Sequence, residues 1–393
     1  MNNRNKSLVL VAIALIASFI FSLLTIYAVS EFEREDKRKL GVSARSAVLY
    51  VPEADRFLYE KHSELRLPMA STTKIMTALI AAESLPLSEV ITVDERASGI
   101  EGSSAYLKVG ERVTAEELMY ALMLRSANDA AAALAIRISG GIEDFAALMN
   151  GRAEELGLTD THFTNPHGLD DDEHYTTARD LAILASAALK NELVRKISST
   201  YKKSFITEER SRTYVNHNKL LLQYDDAIGL KTGFTKKSGR CLVGAAERDG
   251  LTLVTVTLDA PSDWNDHRNM LDYGFSHIEK LTLANEGDIS YTLPILGAET
   301  DSVRVSNREA ASVICDACEH EVKSYVRMSR ILIAPISTDT QVGTVIFTLD
   351  GEECARIALY PEESIKTKKD NNLLRKHLTW KKSDFRNIWR IRD

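Results

Sequence analysis

The chain has 393 residues, of which 44% are hydrophobic and 27% are charged, and a chain of this length is expected to form two or three domains. These proportions exclude a disordered, collagen-like or coiled-coil protein, and a mean hydropathy of −0.17 excludes a polytopic membrane protein. The formal net charge of −7 provides no general basic surface, so nucleic acid is not expected as a partner.

The N-terminal segment, residues 1–30, is apolar. Arg4 and Lys6 precede an uncharged run over residues 8–29, which would extend roughly 33 Å as a helix and so cross a bilayer. Two interpretations stay open: a secretory signal peptide that is cleaved before Glu31, and an N-terminal membrane anchor that is retained. Both predict that the rest of the chain is extracytoplasmic, on the outer face of the cell membrane, because the basic residues precede the run.

Residues 42–281, which follow a charged linker over residues 31–41, mix strand-like runs with helix-like runs. Strands near both ends of this region with helices between them predict an α+β domain, in which an antiparallel sheet packs against a helical layer. The predicted strands are Ala47–Val51, Cys241–Ala246 and Leu251–Leu258, and the predicted helices are Ile75–Glu83, Ala115–Leu124, Asp129–Ile138 and Ile142–Leu156.

Residues 282–365 consist of short β-type segments separated by turn residues. This spacing is typical of a small all-β domain, and we predict a β-sandwich-like domain after the α+β domain. The predicted strands are Tyr291–Ile295, Ser302–Val305, Ser324–Met328, Ile331–Ile336, Thr344–Leu349 and Ala355–Leu359.

The C-terminal tail, residues 366–393, is basic, with ten Lys/Arg against three Asp/Glu. A basic tail on an acidic chain points to a localised anionic target such as a membrane surface. Its apolar residues share one face at helical spacing, the pattern of an amphipathic helix lying in a membrane interface, with a solvated basic tail as the alternative. The residues of the apolar face are Leu374, Leu378, Phe385, Ile388 and Trp389.

Ser71 and Lys74 form a Ser-x-x-Lys pattern just after the helix breaker Pro68 and just before an apolar helix. Residues three apart lie one helical turn above each other, so the serine and the lysine are close enough to share a proton. The pattern alone is weak, because it recurs at Ser199 and Lys202. A helix N-cap serine followed by a surface lysine is the alternative.

Two further motifs strengthen the catalytic interpretation. Ser126–Asn128 is a Ser-x-Asn motif between two predicted helices, and Lys231–Gly233 is a Lys-Thr-Gly motif predicted to open a strand that continues into Cys241–Ala246. A serine nucleophile needs a base, a proton route to the leaving amine, a cation for a substrate carboxylate and an oxyanion hole. The three motifs supply these in order, at separations of 55 and 105 residues, which chance does not readily produce.

These three motifs resemble those of the active-site serine penicillin-recognising family. The resemblance extends to the low-molecular-mass D-alanyl-D-alanine carboxypeptidases, and it implies a penicillin-binding/β-lactamase-like transpeptidase fold followed by the small β-domain. The segments that resemble them are Phe163–Leu169, Tyr175–Ala182, Asn216–Leu221 and Gly229–Thr235. A narrower resemblance, to the sporulation-associated type, rests on Glu101–Ser103, Leu124–Ser126 and Asp263–His267.

The resemblance implies four catalytic residues. Ser71 would attack the carbonyl between the last two D-alanines and form the acyl-enzyme, and Lys74 would be the base. Lys74 must then be neutral, which burial and the neighbouring cation Lys231 favour. Ser126 would pass a proton to the departing D-alanine nitrogen, and Asn128 would hold Lys74 and the substrate amide.

The resemblance also implies the substrate-binding residues. Lys231 and Thr232 would take up the terminal carboxylate, and Gly233 would let the substrate lie against the strand. The backbone N–H groups of Ser71 and Phe234 would form the oxyanion hole. An Arg of some relatives is replaced here by His217, with two interpretations open for Arg268: a substitute carboxylate contact, or a surface arginine.

The function implied is removal of the terminal D-alanine from peptidoglycan stem pentapeptides, which limits cross-linking. Its partners would be the stem peptide, β-lactams as covalent inhibitors, and a membrane surface through the tail; no cofactor is implied. Class A β-lactamases need a glutamate about 34 residues after the Asn, and that count reaches His162, so fast penicillin hydrolysis is not expected. A catalytically silent peptidoglycan-binding scaffold is the alternative.

Four cysteines are too few for a disulfide scaffold. Cys315 and Cys318 have the spacing of half a zinc site, but no second pair or His-x-x-x-His accompanies them. A local disulfide or two free thiols is therefore preferred, and no metal site is predicted.

Overall fold

A computed structural model describes residues 40–206 and 210–368, together with Leu15, Ser18 and Phe19. The chain divides into two compact units, Met1–Glu279 and Lys280–Asp393. Apart from those three positions and residues 366–368, the predicted signal or anchor of residues 1–30 and the predicted amphipathic tail lie outside the described residues. No helix within the described ranges combines the length and apolar character needed to cross a membrane.

The first unit is built on a five-stranded sheet in the order β2-β1-β9-β8-β7, in which all neighbours are antiparallel. The sheet takes strands from both ends of the unit, which confirms the predicted α+β arrangement. β7 forms one edge of the sheet, and no other described strand pairs with its outer side. The strands are β1 Ser46–Val51, β2 Arg56–Lys61, β7 Ala227–Thr235, β8 Gly239–Arg248 and β9 Leu251–Leu258.

Helices cover both faces of this sheet, and every residue of β1 and β9 is therefore buried. α5 packs against β1, β8 and β9, and α8 packs against the same three strands. His267 of α8 bonds to the hydroxyls of Thr255 and Thr257 on β9. The helices are α1 Lys74–Ser84, α2 Ala115–Leu124, α3 Asn128–Ser139, α4 Ile142–Glu155, α5 Ala178–Lys190, α6 Glu192–Ser198, α7 Leu220–Gln223 and α8 Asp263–His277.

Two small antiparallel hairpin sheets complete the described part of this unit: β3 Val90–Thr92 with β4 Arg112–Thr114, and β5 Lys202–Ile206 with β6 Ser211–Val215. The four helices predicted from the sequence, α1 to α4, are confirmed within one residue at each end. The helical spacing of α5, α6 and α8 escaped the sequence analysis.

The strand predicted to begin at the Lys-Thr-Gly motif is wrong. Lys231 does not open a strand that runs on into Cys241–Ala246; it lies in the middle of β7, which turns back and pairs antiparallel with β8. The polar residues after Thr235 form the turn, and Gly239 closes it with a φ of +66°, a conformation that favours glycine. The second Ser-x-x-Lys pattern is also divided, since Ser199 is the C-cap residue that follows α6 and Lys202 begins β5.

The described part of the second unit, residues 280–368, is all-β, as predicted. A six-stranded sheet has the order β14-β16-β17-β12-β11-β15, and β10 pairs with β13. The predicted strand Ile331–Ile336 is reduced to two residues, because Pro335 has no backbone N–H to donate. The strands are β10 Ile278–Ala284, β11 Ser290–Leu296, β12 Ser302–Asn307, β13 Ala311–Asp316, β14 Val322–Met328, β15 Leu332–Ile333, β16 Gly343–Leu349 and β17 Glu352–Pro361.

Candidate active site

Ser71 and Lys74 meet at the start of α1. Residues Ala70–Thr73 form a 3₁₀ turn that leads directly into α1, of which Lys74 is the first residue. This local geometry places Lys74 Nζ 2.9 Å from Ser71 Oγ, within the distance at which a proton passes between two groups.

Lys74 Nζ has two further partners, Asn128 Oδ1 at 2.7 Å and the backbone carbonyl of His167 at 2.5 Å. The side chain is fully buried, and burial foremost, then the charge of Lys231, holds the Lys74 pKa well below its usual range, against an opposing effect of Asp129. A neutral amine has two N–H groups and one lone pair. The two N–H groups match the two pure acceptors, so the lone pair remains for the Ser71 hydroxyl proton.

Asn128 is fixed by a loop that crosses the site. Its Nδ2 donates to the Glu101 carbonyl (2.6 Å), and its backbone N–H donates to the Ser103 carbonyl (2.7 Å). Gly102 has a φ of +94°, and a Cβ there would lie 2.9 Å from Asn128 Nδ2. Asp129 holds the continuation of the loop by accepting from Ser104 Oγ and from two backbone N–H groups. The loop and the base are therefore positioned by the same turn of α3.

Ser126 lies between α2 and α3, with its backbone in the left-handed region at a φ of +62°. This conformation is uncommon for a residue with a side chain, and it is found here at a residue that lines the same cavity as Ser71. Ser126 and Ser71 therefore line one cavity, and the proton-passing role of Ser126 stays a prediction.

The cavity beside Ser71 has a volume of about 520 Å³. Five of the eight residues predicted from the sequence line it, namely Ser71, Ser126, Thr232, Gly233 and Phe234. Lys74, Asn128 and Lys231 are buried behind the wall. The other lining residues are Ser103, His217, Lys219, Arg240, Cys241, Asp263 and Trp264.

Lys231 is buried and is not among the residues that line the cavity. Its Nζ donates to the backbone carbonyl of the next residue, Thr232, at 2.9 Å. Burial lowers the pKa of Lys231 to about 7, because no carboxylate compensates for its desolvation. Lys231 also acts electrostatically, because its charge lowers the pKa of Lys74.

Gly233 lets β7 approach the nucleophile closely. A Cβ at Gly233 would lie 3.0 Å from the Ser71 backbone nitrogen and 3.1 Å from the Met69 carbonyl. The backbone of β7 and the backbone N–H of Ser71 consequently face the same small volume, while the Phe234 ring is 67% exposed. An edge strand with a free side can accept a peptide as an added strand.

The segment Phe163–Leu169 supports Lys74 and the 3₁₀ turn that carries Ser71. The sequence predicted a resemblance for this segment but not this supporting role. His167 contributes its carbonyl rather than its ring, whose pKa burial lowers to about 3. Gly168 has a φ of +85°, and a Cβ there would lie 1.9 Å from the Ala70 carbonyl oxygen. The resemblance of this segment to the family was the one sequence signal that pointed to it, because a contact through a backbone carbonyl does not depend on the type of side chain.

His174 supports the same turn by a directed chain of hydrogen bonds. The Thr164 N–H donates to His174 Nδ1 (3.0 Å), so His174 Nε2 carries the proton and donates to Thr73 Oγ1 (2.7 Å). Thr73 Oγ1 in turn donates to the Ala70 carbonyl (2.8 Å). Burial lowers the pKa of His174 to about 4, and the neutral ring is the form this chain requires. Ala70, at a φ of +47°, is thus held in place immediately before Ser71.

His217 stands where some relatives have an arginine, and Arg268 was predicted to be either a substitute contact for the substrate carboxylate or a surface arginine. His217 Nε2 accepts from Arg125 Nη1 at 3.4 Å, and burial, Lys231 and Arg125 all lower the His217 pKa, so the ring is neutral. Arg268 donates to Asn265 Oδ1 on the exposed side of α8 and does not line the cavity. The structure therefore favours the surface-arginine interpretation of Arg268.

Cys315 and Cys318 are thiols, and no disulfide joins them. Within residues 40–206 and 210–368, no group of three or more His, Cys, Asp or Glu side chains is arranged to hold a metal ion.

Comparison with known proteins identifies two family matches along the chain. The D-alanyl-D-alanine carboxypeptidase family profile matches residues 33–262, and the profile of the penicillin-binding protein 5 C-terminal domain matches residues 279–367. Among curated relatives, D-alanyl-D-alanine carboxypeptidase DacF of Bacillus subtilis is 32% identical over 88% of this chain and 92% of its own. DacC of Escherichia coli is 32% identical over 83% and 85%.

Solved structures agree with these matches. Penicillin-binding protein 5 from Haemophilus influenzae superposes with a TM-score of 0.61 and 26% identity, over 83% of this chain and 98% of that one. The Streptomyces K15 DD-transpeptidase superposes with a TM-score of 0.57 and 34% identity, over 60% and 97%. The chain therefore belongs to the D-alanyl-D-alanine carboxypeptidase family, with a penicillin-binding protein 5 C-terminal domain after its catalytic unit.

Proposed function

We propose that this chain is a serine-type D-Ala-D-Ala carboxypeptidase that removes the terminal D-alanine from peptidoglycan stem pentapeptides. The observation that carries the proposal is the position of Lys74 Nζ, 2.9 Å from Ser71 Oγ, with both of its remaining contacts to pure acceptors. This arrangement suits a buried neutral amine that takes a proton from a serine hydroxyl.

Acylation follows from this geometry. Ser71 Oγ attacks the carbonyl carbon of the penultimate D-alanine while its proton passes to Lys74 Nζ. The oxyanion of the tetrahedral intermediate accepts from the backbone N–H groups of Ser71 and Phe234. The C–N bond then breaks, the proton that Lys74 received passes through Ser126 to the departing nitrogen, and free D-alanine leaves an ester on Ser71 with Lys74 neutral again.

Deacylation repeats these steps with water. Lys74 Nζ takes a proton from the attacking water, the ester bond to Ser71 Oγ breaks, and Ser71 regains its proton. No glutamate lines the cavity as it is described, and the position that a class A β-lactamase would use is His162, whose Nδ1 lies 2.6 Å from the Glu173 carbonyl. We therefore expect penicillin to acylate Ser71 and to leave slowly.

We further propose that the enzyme acts at the outer face of the cell membrane. The apolar run of residues 8–29 and the basic, amphipathic residues 366–393 support this location. A role in sporulation is proposed on Asp263–His267 and the two other segments that resemble the sporulation-associated type.

The test uses the detergent-solubilised full chain and its Ser71→Ala variant, with a peptide that ends in D-Ala-D-Ala. We expect release of free D-alanine by the wild type only, and an arrest of that release when penicillin is added. Penicillin labelling without D-alanine release would indicate a binding protein, and neither labelling nor release would refute the proposed function.

A further inference from the structure

The cations around the cavity differ in whether they can reach a substrate. Lys231 is buried, and its Nζ is bonded to the Thr232 carbonyl. His217 accepts from Arg125 and is neutral. Among the described residues that line the cavity, Lys219 and Arg240 are the two with a positive charge. A substrate carboxylate in this cavity therefore has two cationic side chains within its walls.

Arg240 shares a sheet face with the expected carboxylate-binding residue. It lies directly opposite Phe234 in the pairing of β8 with β7, and two residues before Leu242, which lies opposite Thr232. Side chains that are paired or two apart project from the same face of a sheet. Thr232, Phe234 and Arg240 consequently form one surface, within reach of a long side chain.

The Arg240 guanidinium is held in place from α8. Its Nη2 donates to Asp263 Oδ1 at 2.6 Å, and its centre lies 5.8 Å from the Trp264 ring. Asp263 is almost completely buried, is the first residue of α8 and also accepts from the Trp264 N–H. A carboxylate is favoured at a helix N-terminus, so this anchor is stable without cancelling the donor capacity of the arginine.

Arg240 is itself one of the residues that line the cavity. Within residues 40–206 and 210–368, the one hydrogen bond recorded for its side chain is that from Nη2 to Asp263, and 43% of the side chain is exposed. Guanidinium has five N–H donors in a rigid fork that matches a carboxylate. An arginine fixed at one nitrogen and open at the others is thus prepared to bind an anionic group.

The distance along the strand agrees with a terminal carboxylate. Gly233 packs against the Ser71 backbone, and Thr232 is the next residue of β7. In a peptide that ends in D-Ala-D-Ala, the carbonyl under attack and the terminal carboxylate are likewise one residue apart. We propose that Arg240, anchored by Asp263 and Trp264, binds the terminal carboxylate beside Thr232 and makes the enzyme select peptides with a free carboxyl end. This assignment rests on the proposed carboxypeptidase function.

The test compares two peptides that differ only at the C-terminus, one ending in D-Ala-D-Ala and one in D-Ala-D-alaninamide. The wild-type full chain is expected to prefer the carboxylate peptide. Arg240→Gln should lower kcat/KM for that peptide by roughly 10- to 100-fold, mainly through KM, because a charge-assisted bond is lost. It should change the amide peptide little, so the preference disappears. Arg240→Lys, which keeps the charge, should retain part of the preference.

Two variants serve as matched controls. Arg268→Gln removes an arginine of the same unit that does not line the cavity, and it should leave both peptides unaffected. Lys219→Gln removes the other cavity-lining cation and should leave the preference intact. Thermal unfolding of each variant shows whether Arg240→Gln and Arg240→Lys are folded.

The outcomes separate the two proposals. If the wild type releases D-alanine and Arg240→Gln keeps the preference, or loses activity equally on both peptides, the Arg240 assignment is overturned while the function stands. If the preference disappears in Lys219→Gln instead, Lys219 is the carboxylate-binding cation and the assignment is again overturned. If the wild type releases nothing from either peptide, the proposed function fails and the assignment fails with it.

Discussion

Lys74 and Lys231 are both buried in the first unit, yet their surroundings differ. Lys74 Nζ contacts Ser71, Asn128 and the His167 carbonyl, whereas Lys231 Nζ bonds to the Thr232 carbonyl alone among its recorded partners. Burial lowers the pKa of both amines, and the charge of Lys231 lowers that of Lys74 further. The difference teaches that Lys74 supplies a lone pair positioned at Ser71, while the charge of Lys231 lowers the Lys74 pKa and so keeps that lone pair unprotonated.

The largest effect is expected at Lys74. Lys74→Gln removes the base and should lower kcat/KM for D-alanine release by about 1,000-fold, within the usual range for a general base. Lys74→Arg keeps a permanent positive charge, which cannot accept a proton, and should be equally inactive. The exposed Lys196 on α6 provides a matched control, since Lys196→Gln should retain full activity. An active Lys74→Arg enzyme would contradict the role of Lys74 as base.

Lys231→Gln tests whether the charge of Lys231 lowers the pKa of Lys74. We expect kcat/KM to fall by roughly 10- to 100-fold and the acidic limb of the pH–rate profile to move to higher pH. The sign follows because Lys74 acts when neutral, and removing the neighbouring charge raises the Lys74 pKa. A pH profile of kcat/KM measures the shift. A limb that stays in place, or moves to lower pH, would show that Lys231 does not act on Lys74.

Lys231→Met separates stability from activity. A buried, uncompensated ammonium destabilises the folded state, so this variant should raise the free energy of unfolding by about 1–3 kcal/mol at pH 6 while losing activity. Since the pKa of Lys231 falls to about 7 on folding, the unfolded state binds more protons between about pH 7 and 10.5. Wild-type stability gains from this group as pH rises through that window, and the advantage of Lys231→Met should shrink there. Denaturant unfolding at several pH values provides the measurement.

The smallest effect is expected at His174, which acts on geometry rather than charge. His174→Ala leaves the Thr73 hydroxyl and the Thr164 N–H without their partner, and a loss of about tenfold in kcat/KM is expected. The pH–rate profile should keep its acidic limb, because burial lowers the pKa of His174 to about 4 and the neutral ring places no charge near Lys74. His174→Gln, which offers one donor and one acceptor, should restore part of the activity. A shifted limb would assign His174 an electrostatic role instead.

The sequence was informative where side chains carry the chemistry. Ser71, Lys74 and Asn128 were expected to meet from two of the three short motifs, and their side chains lie in one hydrogen-bonded group. The His167 carbonyl was beyond reach, because the backbone contacts of a loop leave no residue-type signal. Arg240 could not be predicted for a different reason: its position depends on how β7 turns and pairs with β8, whereas the residue pattern predicted one continuous strand.

Gly168 has a consequence for how β-lactam resistance can arise in this protein. Any side chain there would overlap the Ala70 carbonyl, since a Cβ would approach it to 1.9 Å, and a Cβ at Gly233 would lie 3.0 Å from the Ser71 backbone nitrogen, which is a tight contact. We therefore do not expect substitutions that discriminate between drug and substrate at Gly168 or Gly233. We expect resistant variants selected under β-lactam pressure to carry changes on the open rim, at Phe234 or Ser103, where a new side chain has room to meet the drug.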